Sequence, residues 1–220
     1  MPTIIDQLLH SPRLPAYLAQ MNAVLSEEQQ RREQFYEQMT EQEKVEFING
    51  ATVVHSPVKL EHAEASENLL MLLKAYVHVH DLGSVFHEKI LITLIRNDYE
   101  PDICYFRAEV AAQFVPDQMR FPTPDLIVEV LSPSTEERDR GVKFEDYAAH
   151  GVAEYWLIAP TTRTVEQYTL ADERYTLLTK ARSGTLSSSA VPGFEIPIAA
   201  IFDRDLLMSA LRGIVAARPE

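Results

Sequence analysis

Apolar residues in the first sixty positions follow two different spacings, one typical of helices and one typical of strands. The first forty residues have a helical pattern, and Ser26 stands at a capping-box spacing ahead of a helix predicted over 27–39. Asn-Gly between two short apolar runs is the strongest short-range signal for a hairpin. We therefore predict two paired strands around Asn49-Gly50, over 45–48 and 51–55.

The middle and the end of the chain alternate between helical and extended patterns. Leucines at the spacings of one helical stripe predict a long helix over 60–82, which Gly83 terminates. A second helix is predicted over 134–150, where Ser134 starts a capping-box spacing, and the tail over 198–215 is predicted to be helical. The remaining apolar runs, bounded by Asn, Asp, Pro or Gly, predict strands over 84–95, 102–106, 124–131, 154–159, 164–170 and 175–180.

The order of these elements predicts an α/β (α+β) fold. Strands that follow a long helix, then a second helix and a further strand, are typical of a mixed central β-sheet flanked by helices. At 220 residues the chain is expected to fold as a single domain, 1–220. Within this domain we predict an N-terminal helical extension over 1–40, a core over 41–170, and C-terminal strands and a helix over 171–220.

The composition is that of an ordinary folded protein, with 46% apolar and 24% charged residues. No apolar run approaches the ~20 residues of a membrane helix, and residues 1–10 lack the pattern of a secretory signal. The single cysteine, Cys104, excludes a disulfide within the chain. These features predict a cytoplasmic protein with no membrane association.

The charge of the chain restricts any role with nucleic acids. Lys and Arg number 20 and Asp and Glu number 33, which gives a formal net charge of −13. A strongly acidic protein repels the phosphate backbone at long range. Binding of DNA would therefore need a local basic groove or a bound divalent cation.

Carboxylates stand at unusual positions in two of the predicted strands. Pro101-Asp102 and Pro124-Asp125 each open a strand, and Glu129 lies inside an otherwise apolar run. A carboxylate in the middle of a buried strand must be paired, protonated or bound to a cation. One interpretation of Glu129 is a structural salt bridge to a Lys or Arg. The other is an oxygen-lined site for a hard divalent cation, with Asp102 as a second ligand and Lys143 nearby on the following helix. A lysine at that position is otherwise a solvated helix residue.

The residues around this glutamate resemble a known protein family. The stretch PDLIVEVLSPST at 124–135 is similar to the signature of the Uma family of "putative restriction endonucleases", part of the PD-(D/E)XK nuclease superfamily. Matching residues outside that stretch are Phe47–Gly50, Ser56-Pro57, His62, Pro101-Asp102, Asp139–Gly141, Lys143, Tyr147, Gly151-Val152 and Glu154–Trp156. The resemblance therefore covers roughly residues 40–170.

The resemblance implies a restriction-endonuclease-like core that hydrolyses phosphodiester bonds in DNA with bound Mg²⁺, or with Mn²⁺ in its place. It implies that Asp102 and Glu129 are the metal ligands and catalytic carboxylates. In the superfamily a lysine two residues after the glutamate contacts the attacking water, but this chain has Leu131 at that position. The substitute that the family indicates is Lys143, on the next helix, and Lys89 is the alternative.

Further residues are assigned accessory roles. Asp125 shares a strand face with Glu129 but lies about 13 Å from it at ~3.3 Å per residue, so it is either a third ligand or a cap. His62 is expected to contact phosphate or metal-bound water, or to be a structural histidine. Arg140 is expected to contact phosphate or to pair locally. Other arginines that flank the predicted strands and are candidates for phosphate contacts are Arg96, Arg107, Arg120 and Arg138.

Two other functions stay open on the sequence alone. The first is a non-catalytic nuclease-fold module that binds DNA or protein. In the second, Asp102 and Glu129 form structural ion pairs in a domain that acts on something other than nucleic acid. A homodimer would suit cleavage of both DNA strands. No base-reading motif is evident in the sequence, so no sequence specificity is predicted.

Overall fold

The computed structural model describes residues 3–40 and 43–217. Its α-helices are α1 (Ile4–Leu9), α2 (Leu14–Gln38), α3 (Leu60–Val79), α4 (Ala108–Ala111), α5 (Glu136–Arg140), α6 (Val142–Ala149) and α7 (Arg204–Ala216). Its strands are β1 (Val45–Ile48), β2 (Ala51–Val54), β3 (Gly83–His87), β4 (Leu91–Thr93), β5 (Asp98–Tyr99), β6 (Ile103–Arg107), β7 (Arg120–Phe121), β8 (Leu126–Val130), β9 (Glu154–Ala159), β10 (Thr164–Ala171), β11 (Arg174–Ala181), β12 (Thr185–Ser187) and β13 (Glu195–Pro197). Short 3₁₀ helices cover Pro160–Thr162 and Ile198–Ile201.

A six-stranded mixed sheet forms the centre of the fold. Its strand order is β11-β10-β9-β8-β6-β3, and β8 and β9 run parallel while the other pairs are antiparallel. Leucines of α3 and apolar residues of α7 pack against one face of this sheet, and Tyr147 of α6 packs against the other. Because helices cover both faces, every residue of β8 is buried. The predicted α/β (α+β) fold, with a mixed central sheet flanked by helices, is confirmed.

The hairpin predicted at Asn49-Gly50 is also confirmed. β1 and β2 pair antiparallel, with Val45 opposite Val54 and Ile48 opposite Ala51. The turn residues have φ of 50° and 82°, the left-handed values that this type of two-residue turn needs and that Asn and Gly adopt at little cost. The hairpin belongs to a second sheet, which has the order β2-β1-β5-β4-β7.

The strand predicted over 84–95 is in fact two strands in two sheets. β3 lies at the edge of the six-stranded sheet, whereas β4 belongs to the second sheet. Glu88 and Lys89 between them both have φ of 47°, and this left-handed pair turns the chain out of the first sheet. Buried residues occur on both sides of the turn, and the three polar residues 87–89 separate the two apolar runs, which the prediction over 84–95 joins into one strand.

Two predicted helix boundaries are wrong for local reasons. α2 runs unbroken through Ser26, which is therefore an interior helix residue and not a cap. The helix predicted over 134–150 is divided at Gly141 into α5 and α6, because that residue has φ of −111° and ψ of −105°. Glycine tolerates this non-helical conformation better than other residues. The break places Lys143 in the first turn of a new helix.

The helical N-terminal part is attached to the second sheet through the C-terminal half of α2. Of the 25 residues of α2, only Glu28 and Phe35 are buried. Arg32 donates to the two carboxylate oxygens of Asp98 at 2.6 and 2.9 Å, and Arg96 donates to those of Glu28 at 2.7 and 2.8 Å. Neither α2 nor another helix in the two described ranges is long and apolar enough to cross a membrane.

Candidate active site

A cleft of about 790 Å³ opens beside the end of β8. The start of α3, the end of the β1–β2 hairpin and the loop 132–135 line its walls. The three residues assigned to catalysis, Asp102, Glu129 and Lys143, all border this cleft. Their relative solvent exposures are only 4%, 3% and 2%, so their charges lie in a largely desolvated environment. The structure therefore brings the three residues together.

Asp102 and Glu129 are neighbours because of the register between β6 and β8. These strands pair antiparallel with Ile103 opposite Val128, and the next step along the register sets Asp102 opposite Glu129. Residues directly opposite in an antiparallel pair point to the same face of the sheet, with Cβ atoms about 5 Å apart. The backbone N–H of Val130 donates to Asp102 Oδ2 at 2.8 Å, which ties the aspartate to the strand that carries Glu129.

Asp102 is an ionised carboxylate held by two basic side chains. Lys44 donates to its Oδ1 at 2.7 Å, and Nε2 of His62 lies 3.4 Å from its Oδ2. Burial acts to raise the pKa of Asp102, but the attraction of Lys44 and the contact with His62 outweigh burial and hold that pKa well below its usual range. His62 thus lies beside a carboxylate of the site, and its accessory role stays a prediction.

The pKa of Glu129 is shifted in the opposite direction from that of Asp102. Its Oε1 accepts hydrogen bonds from Lys143 at 3.0 Å and from Tyr147 at 3.1 Å. Burial raises the pKa of Glu129 to about 8; Lys143 opposes this shift, whereas nearby carboxylates, Asp139 first among them, add to it. Glu129 therefore holds a proton over much of the neutral range unless a further cation offsets the negative charge around it.

Lys143 joins three carboxylates. Its ammonium nitrogen lies 2.8 Å from Glu46, 3.0 Å from Glu129 and 3.5 Å from Asp139. Burial acts to lower the pKa of Lys143, but these carboxylates outweigh burial and hold it well above its ordinary value. Lys143 is thus an ammonium at neutral pH, which donates hydrogen bonds and does not accept a proton.

Sequence reasoning missed two charged residues at the start of the hairpin, Lys44 and Glu46. Glu46 is fully buried and accepts from Lys143 and from the backbone N–H of Glu100 at 3.0 Å. Nε2 of His55 lies 2.9 Å from its other oxygen. Burial opposes ionisation of Glu46, but Lys143 and His55 outweigh burial and lower its pKa to about 2. Two charges spaced by two in an otherwise apolar strand are the signal that could have identified these residues.

Three of the predicted accessory residues, Asp125, Arg140 and Lys89, lie outside the lining of the cleft. Asp125, at the opposite end of β8 from Glu129, accepts from the backbone N–H of Arg107 at 2.8 Å and pairs with its guanidinium. Arg140 donates to both carboxylate oxygens of Glu166 on β10, at 2.7 and 3.0 Å. Asp125 therefore caps a strand end and Arg140 ties α5 to the sheet, and the structure does not bring either to Asp102.

Lys89, the alternative to Lys143, lies in the turn between β3 and β4 and has an exposed side chain. Lys143 instead touches Glu129 directly, and Lys44 touches Asp102. The geometry therefore favours Lys143 over Lys89 as the lysine of this site. Lys44, at the start of the hairpin, is an additional candidate.

The site carries an excess of negative charge that suits a hard divalent cation. Two ammonium groups, Lys44 and Lys143, face the four carboxylates of Glu46, Asp102, Glu129 and Asp139. The hydrogen bonds from Lys143 and Tyr147 both reach Oε1 of Glu129. No group of three or more His, Cys, Asp or Glu side chains in residues 3–40 and 43–217 is arranged to hold a metal ion. Mg²⁺ commonly uses one or two carboxylates together with water and substrate phosphates, so the pair Asp102 and Glu129 fits it.

Comparisons with known proteins show what the chain is similar to in sequence and fold. The model of the Uma2 family, described as "Putative restriction endonuclease", matches residues 32–199. A curated protein of Synechocystis sp., "Uncharacterized protein slr1290", is 37% identical over 89 residues, which span 39% of this chain and 44% of that protein. The matched segment is thus less than half of that relative. A crystal structure from Anabaena variabilis, described as a "putative nuclease belonging to DUF820", aligns with a TM-score of 0.66 at 18% identity, over 80% of this chain and 96% of the other. The predicted restriction-endonuclease-like fold is therefore confirmed.

Proposed function

The chain belongs to the Uma2 family, and on that premise we propose that it hydrolyses phosphodiester bonds in DNA as a Mg²⁺-dependent endonuclease. The observation that carries the proposal is that Asp102, directly before β6, and Glu129, on the adjacent β8, border one cleft together with Lys143. These are the three residues that the family resemblance assigns to catalysis. Mn²⁺ is the expected substitute for Mg²⁺.

Asp102 and Glu129 are the residues that would hold the ion. The chemistry that such an ion supplies when bound is polarisation of a phosphoryl oxygen and activation of water. Burial raises the pKa of Glu129 to about 8, which marks a carboxyl group with too little positive charge around it. A strongly shifted carboxyl in a cleft is a candidate functional group on physical grounds, and this supports the proposal.

Lys143 is proposed to orient the attacking water. Two of its contacts are close enough for hydrogen bonds, at 2.8 Å to Glu46 and 3.0 Å to Glu129, whereas Asp139 lies 3.5 Å away. The donor directed toward Asp139 is thus the one most easily shared with a water molecule. Because Lys143 stays protonated, its role is to donate a hydrogen bond and not to act as the base.

Lys44 is proposed to meet a phosphate oxygen. Its side chain is 16% exposed, against 2% for Lys143, and it borders the cleft. A lysine ammonium acts toward phosphate as a compact charge with several donors. Lys44 therefore offers both charge neutralisation of Asp102 and a contact for an incoming substrate.

A non-catalytic module that binds DNA or protein is the second candidate, and one observation favours it. Each carboxylate already has a lysine partner, Lys44 on Asp102 and Lys143 on Glu129. Ion pairs that are complete without a metal need no catalytic role. Such a module would bind its partner in the absence of divalent cations, and the change Glu129→Gln would leave that binding unaltered.

Cleavage of supercoiled and single-stranded DNA tests the proposed function. Wild-type protein and Glu129→Gln are purified in parallel and assayed with Mg²⁺, Mn²⁺ or EDTA. Gln keeps the size of the side chain and an oxygen that accepts from Lys143 and Tyr147, so the variant is expected to fold. The proposal predicts cleavage by the wild type that needs metal and is lost in the variant. Cleavage that persists in EDTA, or equally in both proteins, would overturn it.

A further inference from the structure

The five arginines that the sequence marks as candidates for phosphate contacts have different surroundings in the structure. Four of them are already engaged, namely Arg96 with Glu28, Arg107 with Asp125, Arg140 with Glu166, and Arg120 with the ring of Tyr36 at 4.8 Å. Arg138 differs from them. Its Nε is buried and has no hydrogen-bond partner among residues 3–40 and 43–217.

Arg138 lies on the wall of the candidate active-site cleft. It belongs to α5, and its backbone N–H donates to the carbonyl of Thr135 at 2.8 Å, which fixes it next to the loop 132–135. Three hydroxyl side chains of this loop line the same cleft. Oγ of Ser132 lies 3.0 Å from Oγ of Ser134 and 3.1 Å from Oγ1 of Thr135, so the hydroxyls form one connected group.

The unsatisfied N–H of Arg138 needs an acceptor. A buried donor without a partner is destabilising, and each such group in a native structure calls for an explanation. Of the acidic side chains on its helix, Glu136 is paired with Arg140 at 2.8 Å, and Asp139 lies 3.5 Å from Lys143. An anion that enters the cleft would supply the missing acceptor. Guanidinium groups bind phosphate oxygens through paired hydrogen bonds, which makes a phosphodiester a fitting ligand.

We propose that Arg138 and the hydroxyl loop 132–135 bind a backbone phosphate of the nucleic acid next to the bond that is cleaved. This inference rests on the proposed function, because it takes the cleft as the DNA site. Arg138 is in this view a substrate-positioning residue that is separate from the carboxylates and lysines of the reaction. Since the contact is to the sugar-phosphate backbone, it is independent of base sequence.

DNA binding measured apart from cleavage tests this subsite. Fluorescence anisotropy measures the binding of a labelled DNA duplex to two proteins, Glu129→Gln and the double variant that also carries Arg138→Gln. Both titrations contain Mg²⁺ and are repeated between about 50 and 200 mM salt. Loss of a charge-assisted contact should weaken binding about tenfold or more at low salt. The loss of affinity should be equal for DNA duplexes of unrelated sequence. The magnitude of the slope of log K against log salt should fall by about 1. Arg174→Gln, which removes an exposed arginine of β11 outside the cleft lining, is the matched control and should leave the slope unchanged.

Three results would overturn the subsite. An unchanged slope in Arg138→Gln is the first, and an equal loss in the Arg174→Gln control is the second. The third is that calorimetry shows tight binding of inorganic phosphate that depends on Arg138, whereas DNA binding does not depend on Arg138. This result would assign the site to a free anion. Failure of the proposed nuclease is recognised separately. If the wild type does not cleave DNA but binds it in a way that depends on Arg138, only the catalytic proposal is refuted.

Discussion

Single residues in the cleft differ in how their charges are balanced. Asp102 and Glu46 are ionised despite burial, because Lys44 acts on the first and Lys143 on the second. Burial instead raises the pKa of Glu129 to about 8. A proton and a divalent cation therefore compete for one carboxyl group, and that group is the one the family resemblance assigns to metal binding.

Lys143→Gln should be the most destabilising single change among the lysines of the cleft. It would leave Glu46 and Glu129 buried without their shared counter-ion, and breaking a buried pair typically costs about 3 to 5 kcal/mol. Lys44→Gln should cost less, because Lys44 pairs with one carboxylate, Asp102, among residues 3–40 and 43–217 and is partly exposed. Urea unfolding of both variants gives the comparison. A loss for Lys143→Gln no larger than that for Lys44→Gln would contradict the central position of Lys143.

The stability of the protein should depend on pH through Glu129. Its pKa is raised to about 8 in the folded protein from an ordinary value of 4.5, so the protonated form is the one that folding favours. This contribution is complete below pH 4.5 and is lost as the pH rises through about 8. The free energy of unfolding of wild type should therefore fall, relative to Glu129→Gln, by on the order of a few kcal/mol between these values. Parallel pH curves for the two proteins would show that Glu129 does not titrate in this range.

The sequence identifies some residues of the site and not others for a physical reason. Glu129 stands out because a charge inside an apolar strand is unusual, and Asp102 because it opens a neighbouring strand. Lys143 is found because it lies on the helix that follows the Glu129 strand, and the family resemblance assigns it a role. Glu46 and Lys44 belong to the hairpin, which is part of the second sheet, and only tertiary packing brings them to the carboxylates. Local patterns carry no information on that packing.

At Gly83 the backbone of β3 lies close to the backbone of β6. It starts β3 with φ of 135°, and a Cβ at this position would lie 2.1 Å from the carbonyl oxygen of Phe106 on β6. Gly83→Ala should therefore cost about 3 kcal/mol, because backbone strain and a backbone clash act together. Gly184, with φ of 95° and no atom within 4 Å of its Cβ position, is the matched control, and Gly184→Ala should cost about 1 kcal/mol. Equal midpoints of thermal unfolding for the two variants would refute this account of the β3–β6 contact.

Helices and strands with a strong apolar period are predicted well, and breaks inside a period are not. β9 has the predicted bounds, 154–159, because polar and turn residues flank a continuous apolar run. The turn at Glu88 and Lys89 lies in a short polar stretch between two apolar runs, and the break at Gly141 lies inside a predicted helix. Their positions follow from the directions that the two sheets and α6 impose on the chain. A single sequence gives little local signal for such tertiary constraints.

The whole molecule has a net charge of −13, yet the cleft contains cations. Lys143 is buried against carboxylates, so Lys44, Lys59 and Arg138 are the lysines and arginine of the cleft lining that are left to contact DNA phosphates. About three phosphate contacts predict a slope of log K against log salt of about −3. DNA binding should thus be weak and only moderately salt dependent. A slope of about −6 or steeper in a salt titration would require an extended basic surface that the cleft does not provide.

Binding of Mn²⁺ to the purified protein is the measurement that tests the central claim most directly. The claim is that Asp102 and Glu129 form a cation site and not merely structural ion pairs. Calorimetric titration compares wild type, Glu129→Gln and Glu100→Gln; the last changes another buried carboxyl group, whose pKa burial raises to about 7 but which does not line the cleft. The account predicts that wild type and Glu100→Gln bind Mn²⁺, more tightly as the pH rises toward about 8, and that Glu129→Gln does not. Absence of Mn²⁺ binding by the wild type, or equal binding by Glu129→Gln, would contradict the account and favour structural ion pairs.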